Sequence, residues 1–103
     1  MYARLVTSHF KPGQFEAATR MFQDDLIPML KSQKGFRDEI SFYNEDFNEG
    51  YAISFWDDKK FADKYERELF PKIVEKLGDT LTDKPSVKGF EVANSTWYGI
   101  HAS

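Results

Sequence analysis

Tyr51-Ala52-Ile53-Ser54-Phe55-Trp56-Asp57-Asp58-Lys59-Lys60-Phe61 runs a strand pattern directly into a helix pattern. Side chains alternate across a strand, so Tyr51, Ile53 and Phe55 share one face and Ala52, Ser54 and Trp56 the other. Neither face is polar, whereas a sheet with one side in water carries a clean polar stripe. Asp57 or Asp58 stands where a carboxylate accepts from the unpaired N–H groups of a first helical turn. Phe61, Tyr65, Leu69, Ile73 and Leu77 then recur every four positions, which gives a helix over Asp58–Leu77 one apolar face.

Outward from this stretch the same plan repeats. A strand is predicted over Phe36–Asn44 before it and another over Val87–Tyr98 after it. The first part of the chain has a strand over Tyr2–Phe10, a turn at Lys11-Pro12-Gly13 and a helix within Pro12–Lys34. That helix has Phe15, Ala18, Phe22, Leu26 and Met29/Leu30 on one face and ends at Gly35, which suits a left-handed C-terminal cap. The order βαββαβ is that of an α+β, ferredoxin-like antiparallel sheet with two helices on one face. Proline interrupts both helices, in Leu26-Ile27-Pro28 and Leu69-Phe70-Pro71, each seven residues before a glycine, so each helix is expected to kink or restart there.

The face away from the helices must also be covered. In the simplest register Phe36, Ile40 and Phe42 oppose Ser41 and Tyr43, while Phe90, Val92, Thr96 and Tyr98 oppose Ala93, Ser95 and Trp97. Apolar and aromatic residues on both faces point to a second sheet or an enclosed cavity. A face-to-face homodimer answers this economically, because a twofold axis lets one surface cover its own copy.

Composition narrows the class. The 103 residues make one domain, 1–103, without a linker or low-complexity segment. Aromatics are 17% of the chain, more large apolar area than a small core needs, which again suggests an interface or pocket. A net charge of −3 with no basic block argues against nucleic acid or an anionic membrane surface as partner. No cysteine is present, so disulfides, thiolate catalysis and cysteine metal sites are excluded. Neither a signal-peptide pattern nor a membrane-length apolar run occurs, and a cytoplasmic location is the expectation.

Few groups suggest chemistry. His9 on the first strand is placed to act as a base toward a phenol or hydroquinone, or to serve as a surface histidine. Trp56 and Trp97 offer rings for stacking on a flat ligand or for packing, and Tyr43 and Tyr51 are further candidates for a pocket wall. Arg4, Arg37, Glu39 and Glu91 lie on strands, where pairing across the sheet or a dimer seam is expected. With only His9 and His101 and no supporting carboxylate set, no metal site is expected. Phosphate loops, zinc-protease motifs and serine nucleophile elbows are absent.

Ala3-Arg4-Leu5-Val6-Thr7 leading to Lys11-Pro12-Gly13-Gln14-Phe15, then Leu26-Ile27-Pro28-Met29-Leu30 with Lys34-Gly35-Phe36-Arg37, and finally Ile53-Ser54-Phe55-Trp56 leading to Asp57-Asp58-Lys59-Lys60-Phe61 resemble the antibiotic biosynthesis monooxygenase family over nearly the whole chain. The resemblance implies a dimeric α+β barrel, in which two ferredoxin-like subunits pack sheet to sheet. For some members it also implies oxygenation of polycyclic or quinol-like substrates without metal or flavin. In the haem-degrading branch an asparagine, a tryptophan and a histidine form the site; the corresponding positions here are Val6, Lys64 and Val74, so no haem is expected. Where many members carry a histidine on the helix after the tryptophan strand, this chain has Tyr65, a group able to hydrogen-bond a phenolic substrate. With Trp56 it is expected near one pocket mouth.

The resulting expectation is a cofactor-independent monooxygenase-like protein for a small aromatic or quinol-type compound. A non-catalytic dimeric protein that binds an aromatic metabolite, and a structural dimer with an unused cavity, stand beside it.

Overall fold

The computed structural model describes residues 1–102. In chain order its elements are β1 (Tyr2–His9), α1 (Phe15–Met21), α2 (Ile27–Lys31), β2 (Phe36–Asn44), β3 (Glu49–Trp56), α3 (Lys59–Glu68), α4 (Phe70–Leu77) and β4 (Ser86–Glu91). The strands form one antiparallel sheet in the order β2-β3-β1-β4, the ferredoxin-like arrangement expected from the sequence. Among the described residues no helix is long and apolar enough to cross a membrane. Ser103, the last residue of the expected 1–103 domain, lies outside them.

Both prolines break their helices, by different means. Between α1 and α2, Phe22–Leu26 forms a π-helical turn, with Ile27 N–H reaching back to the Phe22 carbonyl. Pro28 has no N–H to give and its ring crowds the preceding turn, and the wider turn ahead of it relieves both. Before Pro71 the chain instead restarts at Leu69, whose φ of −116° separates α3 from α4. The glycines that follow also differ. Gly35 adopts the left-handed φ of +83° expected of a cap, and an added Cβ would collide with the Phe61 ring, whereas Gly78 continues in a right-handed turn at φ −48°. Asp58 is the cap of α3, its Oδ1 accepting from Lys60 N–H at 3.0 Å.

The helices cover the face that carries Val6 and Trp56. Leu26 and Trp56 have no exposed surface, and Leu30, Ala62, Tyr65, Phe70 and Ile73 close the core around them. Each large apolar side chain so buried contributes roughly 1.5–3 kcal/mol.

The structure corrects two expectations about faces. A bulge between Phe36 and Asp38 turns Phe36 to the helix side, edge-on to Trp56 at 5.5 Å, so it does not share a face with Ile40 and Phe42. The last strand ends at Glu91 rather than Tyr98. Its ladder partner is β1, and the pair Tyr2–Glu91 exhausts that strand; Val92 N–H makes one more bond, to the Met1 carbonyl. The tail then folds back, burying Ile100 and setting Trp97 edge-on to Phe55 at 5.6 Å on the outer face of the sheet. Beyond it Phe42, Tyr51 and Phe90 remain 54%, 38% and 49% exposed.

Candidate active site

A cavity of about 250 Å³ lies between the sheet and the helices. Its helix side is apolar, with Phe15, Ala18, Phe22, Phe70, Ile73 and Leu77 contributing. Tyr43 lies parallel to Phe15 with ring centroids 3.3 Å apart, and its hydroxyl donates to Asn48 Oδ1 at 3.3 Å.

Strand register draws a polar row across the sheet floor. Arg4 on β1 is paired with Ser54 on β3, and Ser54 in turn with Glu39 on β2; all three line the cavity. Neighbouring strands are about 4.8 Å apart, so the Arg4 and Glu39 backbones stand roughly 9–10 Å apart across Ser54. Trp56 Nε1 donates to Ser54 Oγ at 2.9 Å, a bond that occupies a lone pair and leaves the serine proton available.

Arg4 is 4% exposed. Its guanidinium carbon stands 4.0 Å from the Phe70 ring centre and 5.0 Å from that of Tyr65. Nη2 donates to Glu66 Oε1 at 3.3 Å, and the buried Nε has no partner among the described residues. Burial lowers the Arg4 pKa, opposed by Tyr65 and Glu66. Burial also pushes the Tyr65 phenol up to about 12, so this residue stays a hydrogen-bond donor rather than a base. Burial likewise raises Glu39, against the opposing effect of Ser41, whose Oγ donates to Oε1 at 2.6 Å. The polar row and its neighbour Tyr65 thus bring a buried cation, the hydroxyls of Ser54 and Tyr65 and the Glu39 carboxyl to the cavity.

Of the expected site residues the cavity brings together Tyr65 and Tyr43; Tyr51 borders it, but strand alternation turns its side chain to the outer face, away from that of Ser54. The other three lie elsewhere. Trp56 is fully buried behind the wall, its ring 5.1 Å from Tyr65. Trp97 is on the opposite face, against Phe55. His9 stands at the end of β1, where Nε2 meets Glu49 Oε2 at 2.9 Å and Nδ1 approaches Asp83 Oδ1 at 3.6 Å; Tyr51 donates to the other oxygen of Glu49 at 2.7 Å. These hydrogen bonds from Tyr51 and His9 hold the Glu49 carboxyl below its ordinary pKa. Arg4 and Arg37 do pair, but with Glu66 on α3 and Asp57 at the end of β3 rather than with another strand. The Arg4–Ser54–Glu39 row is not visible in the sequence as a site: alternation gives the parity within each strand, but only the register sets the three residues abreast.

No family model and no curated protein matches the chain. Solved structures do. An antibiotic biosynthesis monooxygenase superposes with a TM-score of 0.72 at 14% identity, covering 90% of this chain and 99% of its own. Rv0793 from Mycobacterium tuberculosis gives 0.74 at 15% identity, covering 93% and 98%. NE2512, a protein of unknown function from Nitrosomonas europaea, gives 0.75 at 16%, covering 93% and 92%. At these identities the likeness establishes a shared fold and leaves the chemistry to the residues of this chain.

Proposed function

We propose that the chain is one ligand-binding domain that takes a small aromatic or quinol-type compound into the cavity between sheet and helices and promotes its reaction with dioxygen without a cofactor. The observation that carries this reading is the cavity itself, walled by aromatic and aliphatic side chains and carrying few polar groups. Its volume of about 250 Å³ lies just below the range for drug-sized ligands, which suits a compact aromatic. In the simplest case a phenol and dioxygen give a quinone and water: one oxygen atom enters the ring, the other leaves as water, and the substrate supplies the electrons. Deprotonation makes the ring electron-rich enough to react. The protein's part is to set the phenolic group beside a carboxyl that can take its proton and to exclude water. Glu39 is that carboxyl, and Arg4 supplies fixed positive charge at the other end of the row to orient the ligand.

His9 lies outside the cavity, and this favours a second reading, binding of an aromatic metabolite without turnover. Oxygen uptake separates the two. Hydroquinones and naphthols are expected to bind the wild-type protein and raise its oxygen consumption, and both effects should vanish in Ala52→Phe, whose ring would occupy the cavity. Binding without oxygen uptake would leave the second reading; a panel that binds wild type and Ala52→Phe alike would remove the cavity from both.

The proposal includes a homodimer formed through the outer sheet face. Phe42, Tyr51 and Phe90 are exposed there, and a second copy would bury them.

A further inference from the structure

We propose that the ligand is a hydroxylated aromatic monocarboxylate, with its carboxylate held by the Arg4 guanidinium and the Ser54 hydroxyl and its phenolic group directed toward Glu39. The inference rests on the reading of the cavity as an aromatic-ligand site and names the class of compound that site selects.

An arginine withdrawn from water needs its donors occupied, because an uncompensated buried charge is strongly unfavourable. Among the described residues Arg4 has one ion-pair partner, Glu66, which is 47% exposed and reached by a single bond of 3.3 Å. Nε is buried with no acceptor among the described residues. Glu39, at the far end of the same row, does not compensate it: Arg4 pairs on the helix side and not across the floor. Arg4, a lining residue, therefore brings an incompletely paired guanidinium to one end of the cavity. A guanidinium presents parallel donors in a plane, which match the two oxygens of a carboxylate better than one phenolate oxygen.

Ser54 adds a donor beside it. Its oxygen already accepts from Trp56 Nε1, so its proton is free to turn toward a ligand oxygen. Among the described residues Glu39 is the only acidic one on the cavity wall. A second carboxylate would be repelled there, whereas a hydroxyl group can donate to it. The roughly 9–10 Å between the ends of the row suits a molecule with an acid at one end of an aromatic body and a hydroxyl at the other.

Calorimetric titration with para-hydroxycinnamate, its amide, cinnamate and beta-naphthol tests the assignment. Wild-type protein is expected to bind para-hydroxycinnamate roughly tenfold or more tightly than the amide. Arg4→Met should abolish that preference while changing beta-naphthol affinity little; removal of a buried charge is compatible with folding, which a thermal melt verifies. If Arg4→Met does not fold, Arg4→Lys, which keeps the charge and loses the planar fork, should reduce the same preference. Glu39→Gln should weaken para-hydroxycinnamate more than cinnamate. Equal affinity for acid and amide, or a preference that survives at Arg4, would overturn the proposal while beta-naphthol binding left the aromatic site standing. If none of the aromatics binds, the site reading and this inference fall together.

Discussion

The indole N–H of Trp56 donates to the hydroxyl oxygen of Ser54, two residues back on the same strand, at 2.9 Å in a fully enclosed environment. The bond lets a large amphipathic ring be buried without an unsatisfied donor. It also fixes one lone pair of a serine on the cavity floor. Trp56 thus acts on the site through Ser54 and Tyr65, from behind the wall.

For Trp56→Phe the expected result is a loss of stability of about 2 kcal/mol, from lost ring volume and the lost buried hydrogen bond. The midpoint of urea unfolding reports it. A substitution without effect on that midpoint would show that the indole is not held as described.

Gly35→Ala is expected to destabilise the fold by about 2 kcal/mol or more, since a Cβ at φ +83° is strained and would strike the Phe61 ring. Thermal denaturation checks this. Gly13→Ala, also at positive φ but in open space, isolates the backbone contribution and should cost less.

Glu39 should make stability fall as pH rises. Burial raises its folded pKa above the ordinary 4.5, so in the interval between the two values the folded state binds more protons than the unfolded chain. The stability contribution is therefore fullest below the ordinary value and is lost as pH climbs through the folded one. Glu39→Gln removes this dependence, and the difference between wild type and variant, followed by denaturant midpoints from pH 4 upward, should shift toward the variant as pH rises. A difference that stays flat would contradict the raised pKa.

Sedimentation equilibrium at micromolar protein should give a dimer for wild type and a shift toward monomer for Phe90→Glu. Phe90 is 49% exposed on the outer face, and a charge there would be desolvated against a second copy. A monomeric wild type would refute the proposed assembly.

Much of the plan was legible locally. Alternation in Tyr51–Trp56, apolar spacing through Phe61 and Ile73, the glycine cap at Gly35 and the prolines at 28 and 71 each depend on near neighbours, and each appears in the structure. What local pattern misses is long-range. Alternation alone extends the last strand to Tyr98, because it cannot reveal that β1 runs out opposite Glu91. Nor does it expose the bulge that turns Phe36 inward.

By itself, then, the sequence determined the order and type of the elements, because propensity, capping and side-chain periodicity act over a few residues. Only the tertiary structure decided which residues meet in the cavity. Arg4, Ser54 and Glu39 lie on three different strands and become neighbours through register, a consequence of how three strands hydrogen-bond and slide to bury their apolar face. The same register carries His9 to the strand end and away from the cavity, and the packing of Tyr65 and Phe36 around Trp56 seals that ring in the core.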